Sequence, residues 1–180
     1  MSPDQVLEHA DLTGRPVAQS DHGQYLATYG HLYEHSPWVA ERAWTHWPFA
    51  DAKAPHAALL QVLAGASTDE KLALARAHPE LADKLAMAEG LTDSSAKEQA
   101  SAGLDQLTMQ EYAVFHDLNR AYREQFGFPF IICVKLNDKA SILAAMNRRL
   151  EHTVDQELAE AVTQIGLIAR LRLADIEVAS

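Results

Sequence analysis

The chain has 180 residues, 48% hydrophobic and 22% charged, which is typical of one globular domain that needs neither metal nor disulfide to bury its core. Its 15 basic and 25 acidic residues give a formal net charge of −10, which argues against nucleic acid and anionic membrane surfaces as partners. The single cysteine, Cys133, excludes an internal disulfide and a cysteine-rich zinc site.

No targeting or membrane segment is recognisable in the sequence. The acidic start at Met1 does not resemble a signal peptide, and no apolar run approaches the roughly 20 residues of a transmembrane helix. The last residues carry no peroxisomal or retention signal. We therefore expect a cytoplasmic protein with a polar leader at 1–24, a helical domain at 25–175 and a short tail at 176–180.

The composition and spacing of the first half predict helices. Alanine and leucine are frequent, whereas the chain has only 8 glycines and 7 prolines, which favours helices joined by short turns. Apolar residues at helical spacing run from Tyr25 to Tyr33, and a second helical stretch follows over Trp38–Trp47. We expect a loop over Pro48–Pro55 and a short helix over His56–Leu63.

Capping patterns predict the starts of three further helices. Ser67–Glu70, Ser95–Glu98 and Thr108–Glu111 fit the capping box, in which a hydroxyl and a carboxylate satisfy the first free amides of a helix. The first of these helices should break at His78, because proline disfavours the helical conformation of the residue before it. Pro79 then suits the first position of another helix, which we expect to reach about Ala88.

The last third of the chain contains one segment that does not look helical. The helix after Thr108 should close before Gly127, a residue suited to a left-handed C-cap. Phe128–Lys135 is apolar, contains a proline and is short for a helix, which predicts a buried extended segment or an irregular turn. Helices over Ser141–Leu150 and Thr153–Asp175 complete one compact all-α domain.

The chain has nine histidines, the side chains that titrate near neutral pH. His31 and His35 are four residues apart, which on a helix would place both on one face and could bind a metal. However, Leu32 stands where the helical zinc motif carries a glutamate, and no third ligand has a telling spacing. We expect no metal site and assign this pair to capping or surface roles.

His78 has a different setting, at the predicted junction of two helices on a backbone that Pro79 makes stiff. A side chain that projects from such a fixed point suits a general acid or base, because proton transfer requires accurate placement. The alternative is a structural histidine that caps the preceding helix by contacting a free carbonyl.

Glu98 also has two interpretations. As the fourth residue of Ser95–Glu98 it would complete a capping box, where the helix dipole keeps a carboxylate ionised. An ionised carboxylate in a pocket could instead accept hydrogen bonds from the N–H groups of a ligand.

The last helix predicts one buried arginine. Its apolar residues alternate steps of four and three, and the next step of four lands on Arg172. At about 100° per residue, Arg172 lies about 20° from Ile165 and Arg170 about 140° away, so we expect Arg172 to point inward and Arg170 into solvent. A buried guanidinium must meet a carboxylate or an anionic ligand, unless only its stem packs and its head reaches water.

Five short motifs follow one another along the chain: Glu34–Glu41 (EHSPWVAE), Ala77–Ala82 (AHPELA), Ser95–Ala100 (SAKEQA), Phe126–Ile131 (FGFPFI) and Ile168–Leu173 (IARLRL). Together, in this order and at these spacings, they resemble the 2-oxo-4-hydroxy-4-carboxy-5-ureidoimidazoline decarboxylases (OHCU decarboxylases) of urate degradation. The resemblance covers the chain from about Tyr25 to Asp175.

The resemblance implies an all-helical, cofactor-free and usually dimeric enzyme that converts a small anionic imidazoline to (S)-allantoin with loss of carbon dioxide. It implies that His78 of the His-Pro motif is the catalytic histidine and that Glu98 is its acidic partner. The residues that it implies contact the substrate are Pro79, Ser95, Gln99, Phe130, Ile131, Ile132, Cys133, Val134 and Arg172.

Two segments depart from the family pattern without touching its motifs. The leader before Tyr25 is less regular than the family's opening helix, and the stretch Leu150–Thr153 lacks the asparagine expected after an Arg-Leu pair. From a different functional class, the alternative is a non-catalytic helical ligand-binding or interaction protein in which His78 and Glu98 serve only as helix caps.

Overall fold

A computed structural model describes residues 22–49, 54–82 and 91–179, and every regular element in these ranges is helical, which confirms the predicted all-α class. Two 3-10 turns lie at Trp44–His46 and Val134–Leu136. The α-helices of the described ranges are α1 His22–Tyr29, α2 Trp38–Ala43, α3 Ala54–Gly65, α4 Thr68–Arg76, α5 Asp93–Ser101, α6 Met109–Phe126, α7 Lys139–Arg149 and α8 Val154–Ala179.

The chain groups into two compact units, residues 1–68 with 166–180 and residues 69–165. The predicted division into a leader at 1–24, a domain at 25–175 and a tail at 176–180 stays a prediction, and most of that leader lies outside the described residues. Among the described helices, none combines the length and the apolar character that crossing a membrane requires.

The first unit has an aromatic core. Tyr25 and Tyr29 of α1 are buried, and the ring centroids of Tyr25 and Trp44 lie 4.9 Å apart. Trp44 stacks on Trp47 at 5.3 Å, and Phe49 meets the edge of Trp47 at 5.4 Å. Helices α2 and α3 pack against each other in the same unit. Large rings of this kind bury much apolar area per residue and hold the short helices together.

Helix α1 ends at Tyr29 and does not continue to Tyr33 as predicted. The following residues form consecutive turns, in which the Leu32 N–H donates to the Tyr29 carbonyl at 3.2 Å and the Ser36 N–H to the Tyr33 carbonyl at 3.1 Å. Leu32 and Tyr33 are both buried, so their apolar spacing indicated burial correctly but not the helix.

His31 and His35 lie in these turns, so the shared helix face on which a metal pair would depend does not form. Both residues are exposed, and His35 has a left-handed backbone with a φ of 46°. Among the described residues there is no group of three or more His, Cys, Asp or Glu side chains that could hold a metal ion.

In the second unit, α6 has both of its predicted ends. The Thr108 hydroxyl accepts a hydrogen bond from the Glu111 N–H at 3.2 Å, and the Glu111 carboxylate accepts one from the Thr108 N–H at 2.8 Å. Gly127 closes the helix with a φ of 74°, and its N–H donates to the Arg123 carbonyl. The side chains that α6 buries are Phe115, Asn119, Tyr122 and Phe126.

The capping box predicted at Ser95–Glu98 is wrong. The N-cap of α5 is Thr92, whose hydroxyl accepts a hydrogen bond from the Ser95 N–H at 3.3 Å. Thr92 offers the same hydroxyl one turn earlier, and Asp93 then adds the acidic first turn that the helix dipole favours. Ser95 and Glu98 therefore lie inside the helix.

The helix predicted to start at Pro79 does not start there, since residues 79–82 are not helical and Ala82 has a φ of 58°. A side-chain amide satisfies the backbone of this segment instead. The Gln99 Oε1 accepts from the Ala82 N–H at 2.9 Å, and the Gln99 Nε2 donates to the Glu80 carbonyl at 3.2 Å. The rest of that predicted helix, from residue 83, lies outside the described residues.

The irregular segment predicted over Phe128–Lys135 is confirmed. Residues 128–133 have no regular structure, and the 3-10 turn Val134–Leu136 follows and contacts α5. The Cys133 N–H donates to the Gln164 Oε1 at 2.9 Å, and the Asn137 Nδ2 donates to the Cys133 carbonyl at 2.9 Å. These side chains replace the backbone pairing that a helix or sheet would supply.

A buried ion pair supports the same segment. Arg149 and Glu157 are 1% and 0% exposed, and the Arg149 Nε donates to the Glu157 Oε1 at 2.9 Å. The Arg149 Nη1 donates to the Ile131 carbonyl at 2.8 Å. The Tyr122 hydroxyl also donates to Glu157, and the His152 Nδ1 lies 2.8 Å from the Glu157 Oε2.

Candidate active site

His78 follows the end of α4, and its Nδ1 lies 2.9 Å from the Leu74 carbonyl oxygen. The contact is the helix-capping role that the sequence left open as the structural alternative. Because a carbonyl oxygen can only accept, Nδ1 carries the proton, and in the neutral ring Nε2 then holds the lone pair. The cap therefore also fixes the tautomer and the ring plane, which is what a general base requires.

The His78 ring lines a pocket of about 320 Å³ in the second unit. The pocket joins the His-Pro motif to the Phe-Gly-Phe-Pro motif, which are separated by about 50 residues along the chain. Its other lining residues are Arg76, Glu80, Arg123, Gly127, Phe128 and Pro129. Of the residues predicted to form the site, His78 lines this pocket. Phe128 and Pro129, at the start of the irregular segment, also line it.

Two arginines of this pocket were not singled out by the sequence. The Arg76 Nε donates to the Gly127 carbonyl at 3.0 Å, and the Arg123 Nε donates to the Glu80 Oε1 at 2.7 Å. The Arg123 Nη2 pairs with the same carboxylate. The position of Arg76, two residues before His78, was the available signal, but no periodicity distinguishes it from an ordinary basic last turn.

Helix α5 carries three of the predicted residues, all buried: Ser95, Glu98 and Gln99. Since Thr92 is the cap, the structural interpretation of Glu98 as part of a capping box is wrong. Gln99 joins α5 to the residues after the His-Pro motif by its two contacts with Ala82 and Glu80. The Gln99 amide thus helps to hold the residues that follow His78 and Pro79 in place.

The segment Phe130–Val134, which the resemblance implies contacts substrate by its backbone, is buried throughout. Side chains pair with three of its backbone groups: Arg149 with the Ile131 carbonyl, Gln164 with the Cys133 N–H and Asn137 with the Cys133 carbonyl. The segment is therefore held in one conformation by side chains from α7, from α8 and from Asn137, which precedes α7.

Arg172 belongs to the first unit and points inward, as the helix geometry predicted, with 6% exposure. Its Nη2 donates to the Glu34 Oε1 at 3.0 Å and its Nη1 to the Leu32 carbonyl at 3.3 Å. The carboxylate that a buried guanidinium needs is thus Glu34, the first residue of the first motif, a pairing that the sequence pattern did not reveal.

Arg170 does not lie in solvent as predicted. It is half-buried, and burial together with the charge of Arg170 lowers the pKa of His56 to about 4. Arg170, about 140° from the apolar stripe, lies near His56 of α3. The pattern predicted that this face of α8 is exposed, but α3 lies close to it. Both arginines are described within the first unit, and His78 within the second.

The family model for OHCU decarboxylase matches residues 18–174. A 2-oxo-4-hydroxy-4-carboxy-5-ureidoimidazoline decarboxylase of Haloferax volcanii is 42% identical over 165 residues, which cover 92% of this chain and 96% of the relative. The corresponding protein of Halalkalicoccus jeotgali is 40% identical and covers 93% of both chains.

A crystal structure of (S)-allantoin synthase has a TM-score of 0.69 and 32% identity, and the match covers 87% of this chain and 51% of that longer one. The resemblance predicted from the five motifs is confirmed, as is the prediction of an enzyme of the carboxy-lyase class. The chain belongs to the OHCU decarboxylase family.

Proposed function

We propose that the protein decarboxylates 2-oxo-4-hydroxy-4-carboxy-5-ureidoimidazoline to (S)-allantoin without a metal or organic cofactor, with His78 as the acid and base. The observation that carries the proposal is the His78 ring, which the Leu74 carbonyl holds in one tautomer and which lines a pocket, in a chain of this family. The names of the relatives support the same substrate.

The substrate provides its own electron sink. Its hydroxyl and carboxylate share one ring carbon, which adjoins a C=N bond. When the bond to the carboxylate breaks, its electron pair forms a C=C bond to the neighbouring carbon, and the imine nitrogen takes the displaced pair and a proton. The hydroxyl proton then leaves as the carbonyl forms, and the carbon that bears the ureido group gains a proton. The net reaction consumes one proton and releases carbon dioxide, so no external electron acceptor is required.

The protein must orient the carboxylate out of the ring plane and manage these protons on one face. In our proposal the Nε2 of His78 takes the hydroxyl proton and returns a proton during the formation of the stereocentre. Glu98 accepts hydrogen bonds from the ureido and ring N–H groups, with Ser95, Gln99, Pro79 and the backbone of Phe130–Val134 completing the contacts. Arg172 holds an anionic oxygen, and its contact with Glu34 supports this role by fixing the position of the guanidinium.

The test is a coupled assay in which urate oxidation supplies the unstable substrate and optical rotation follows (S)-allantoin. Wild-type protein should form one enantiomer faster than the spontaneous route, and exhaustive chelation should leave that rate intact. His78→Gln should abolish the acceleration while the protein stays folded, whereas His116→Gln, at an exposed histidine of α6, should not change it.

Two results would contradict the assignment in different ways. Near-normal turnover by His78→Gln would exclude the proposed acid and base. No acceleration by the wild-type protein would favour the non-catalytic alternative, in which His78 is only the cap of α4.

Our proposal also includes a cytoplasmic homodimer, which rests on the resemblance to the family. Sedimentation equilibrium at assay concentrations should give twice the mass of the 19.8 kDa chain. A monomer that is fully active would contradict the dimer and leave the chemistry of His78 untouched.

A further inference from the structure

The pocket beside His78 contains three charged side chains in addition to the histidine: Arg76, Glu80 and Arg123. Arg123 contacts the Glu80 carboxylate through two nitrogens, with its Nε at 2.7 Å. A guanidinium and a carboxylate in such a two-point contact offset each other's charge. Among the described residues that line the pocket, the positive charge that remains is that of Arg76.

Arg76 is held in place without being neutralised. Its Nε donates to the Gly127 carbonyl at 3.0 Å, and a carbonyl oxygen accepts a hydrogen bond but carries no formal charge. No carboxylate of the described residues forms an ion pair with Arg76, and its side chain is exposed. Its terminal nitrogens therefore keep a full positive charge at a defined position on the pocket wall.

This local charge contrasts with the chain as a whole. A formal net charge of −10 repels a small anion, and the field in a concave pocket is set by the charges that line it. Arg172, which holds an anionic oxygen in the proposed function, has the Glu34 carboxylate 3.0 Å from its Nη2. Arg172 therefore exerts little net attraction on a distant anion. Arg76, whose charge no carboxylate of the described residues offsets, exerts a stronger one.

We propose that Arg76 guides the anionic substrate into the pocket beside His78. The inference rests on the proposed function and adds to it a residue that acts on capture and not on the chemical step. The carboxylate leaves as neutral carbon dioxide, so a cation that gripped it firmly in the bound state would slow the reaction. An exposed guanidinium on the pocket wall raises the local concentration of the anion without that penalty.

The experiment compares Arg76→Gln with Arg76→Lys in the coupled assay over a range of salt concentrations. Arg76→Gln should lower kcat/KM at low salt by about 3- to 10-fold, leave kcat within about twofold and reduce the salt dependence of kcat/KM. Arg76→Lys keeps the charge and should retain most of the low-salt kcat/KM and most of its salt dependence. Arg120→Gln is the matched control, because Arg120 is an exposed arginine of α6 that pairs with Asp117 and does not line the pocket.

Salt dependence is the deciding measurement, because a purely structural role of Arg76 would not change it. The proposal is overturned if Arg76→Gln leaves kcat/KM and its salt dependence as in wild type. It is equally overturned if Arg76→Lys is as impaired as Arg76→Gln, since the hydrogen bond to Gly127 would then be the contribution that matters. Should Arg76→Gln fail to fold, the lysine variant and its salt dependence decide alone. Failure of the wider function is recognised separately, by turnover that survives His78→Gln.

Discussion

The buried pair of Arg149 and Glu157 allows a sharp test of what stabilises the second unit. Glu157→Gln changes the shape of the side chain little and still offers an amide oxygen to the Tyr122 hydroxyl. What it removes is the charge opposite Arg149, a guanidinium that is 1% exposed. The variant therefore measures the effect of an uncompensated buried charge.

The expected cost is about 3–5 kcal/mol in the free energy of unfolding, the usual range when one partner of a buried ion pair is removed. That is a large part of the roughly 5–15 kcal/mol by which domains are stable. The Ile131 carbonyl and the Phe130 ring, 4.5 Å from the guanidinium, remain as partners of Arg149 but carry no negative charge. Neither can replace the carboxylate.

The assay is urea denaturation followed by circular dichroism, with the slope m compared between variants to confirm that the same surface unfolds. Adding Arg149→Met to Glu157→Gln removes the unpaired cation, so the double variant should be more stable than Glu157→Gln alone. Asp117→Asn is the control, because Asp117 pairs with Arg120 at the surface, with exposures of 66% and 61%, and should change stability by less than about 1 kcal/mol.

The reasoning is refuted if Glu157→Gln costs no more than Asp117→Asn, since the pair would then behave as though it were solvated. It is also refuted if the double variant is less stable than Glu157→Gln, because removing the unpaired charge would then have brought no relief.

Three further predictions concern pH and backbone geometry. Hydrogen bonds, first from Lys139, lower the pKa of Glu111 from 4.5 to about 2. The contribution of Glu111 to stability is therefore present above about pH 4.5 and lost toward pH 2, and the melting temperatures of wild type and Glu111→Gln should converge over that range. Burial lowers the pKa of His56 from 6.5 to about 4, so the unfolded chain binds a proton at a higher pH than the folded protein does. The melting temperature should therefore fall as the pH drops from about 6.5 to 4, and it should fall less in His56→Gln. An equal fall in both proteins would contradict this prediction. Gly127→Ala should destabilise by about 1 kcal/mol, because the φ of 74° is left-handed, whereas Gly65→Ala in α3, where an added Cβ would meet nothing within 4 Å, should not lower the melting temperature.

The elements that the sequence predicted well are those with local causes. Helix α6 follows from a capping box, a regular apolar face and a C-terminal glycine, all within about 20 residues. The inward direction of Arg172 follows from the period of one helix. The irregular segment after Gly127 follows from its apolar composition and its proline.

The features that the sequence did not predict depend on contacts between distant parts of the chain. Gln99 holds Ala82 across 17 residues, in a segment where the pattern predicted the first turn of a helix and residues 79–82 are not helical. The ion pair of Arg172 and Glu34 spans 138 residues, and nothing in the pattern around either residue indicates it. The cap of α5, Thr92, is local too, but the glutamate three residues after Ser95 led us to predict Ser95 as the cap.

The helix cap that the His78 ring forms, together with the catalytic role that we propose for it, has a consequence for how the protein evolves. Protonation of Nε2 leaves the Nδ1 contact with Leu74 intact, so the ring can pass through its charged and neutral forms without losing its anchor. The same contact caps the end of α4, so a replacement at this position loses a cap, worth about 1 kcal/mol, together with the nitrogen that we propose as acid and base. We therefore expect selection for a folded chain to favour His78 even in a copy that no longer turns over substrate. A His-Pro pair at this position would then say little about turnover, and activity in a diverged relative has to be judged from residues that do not also end a helix.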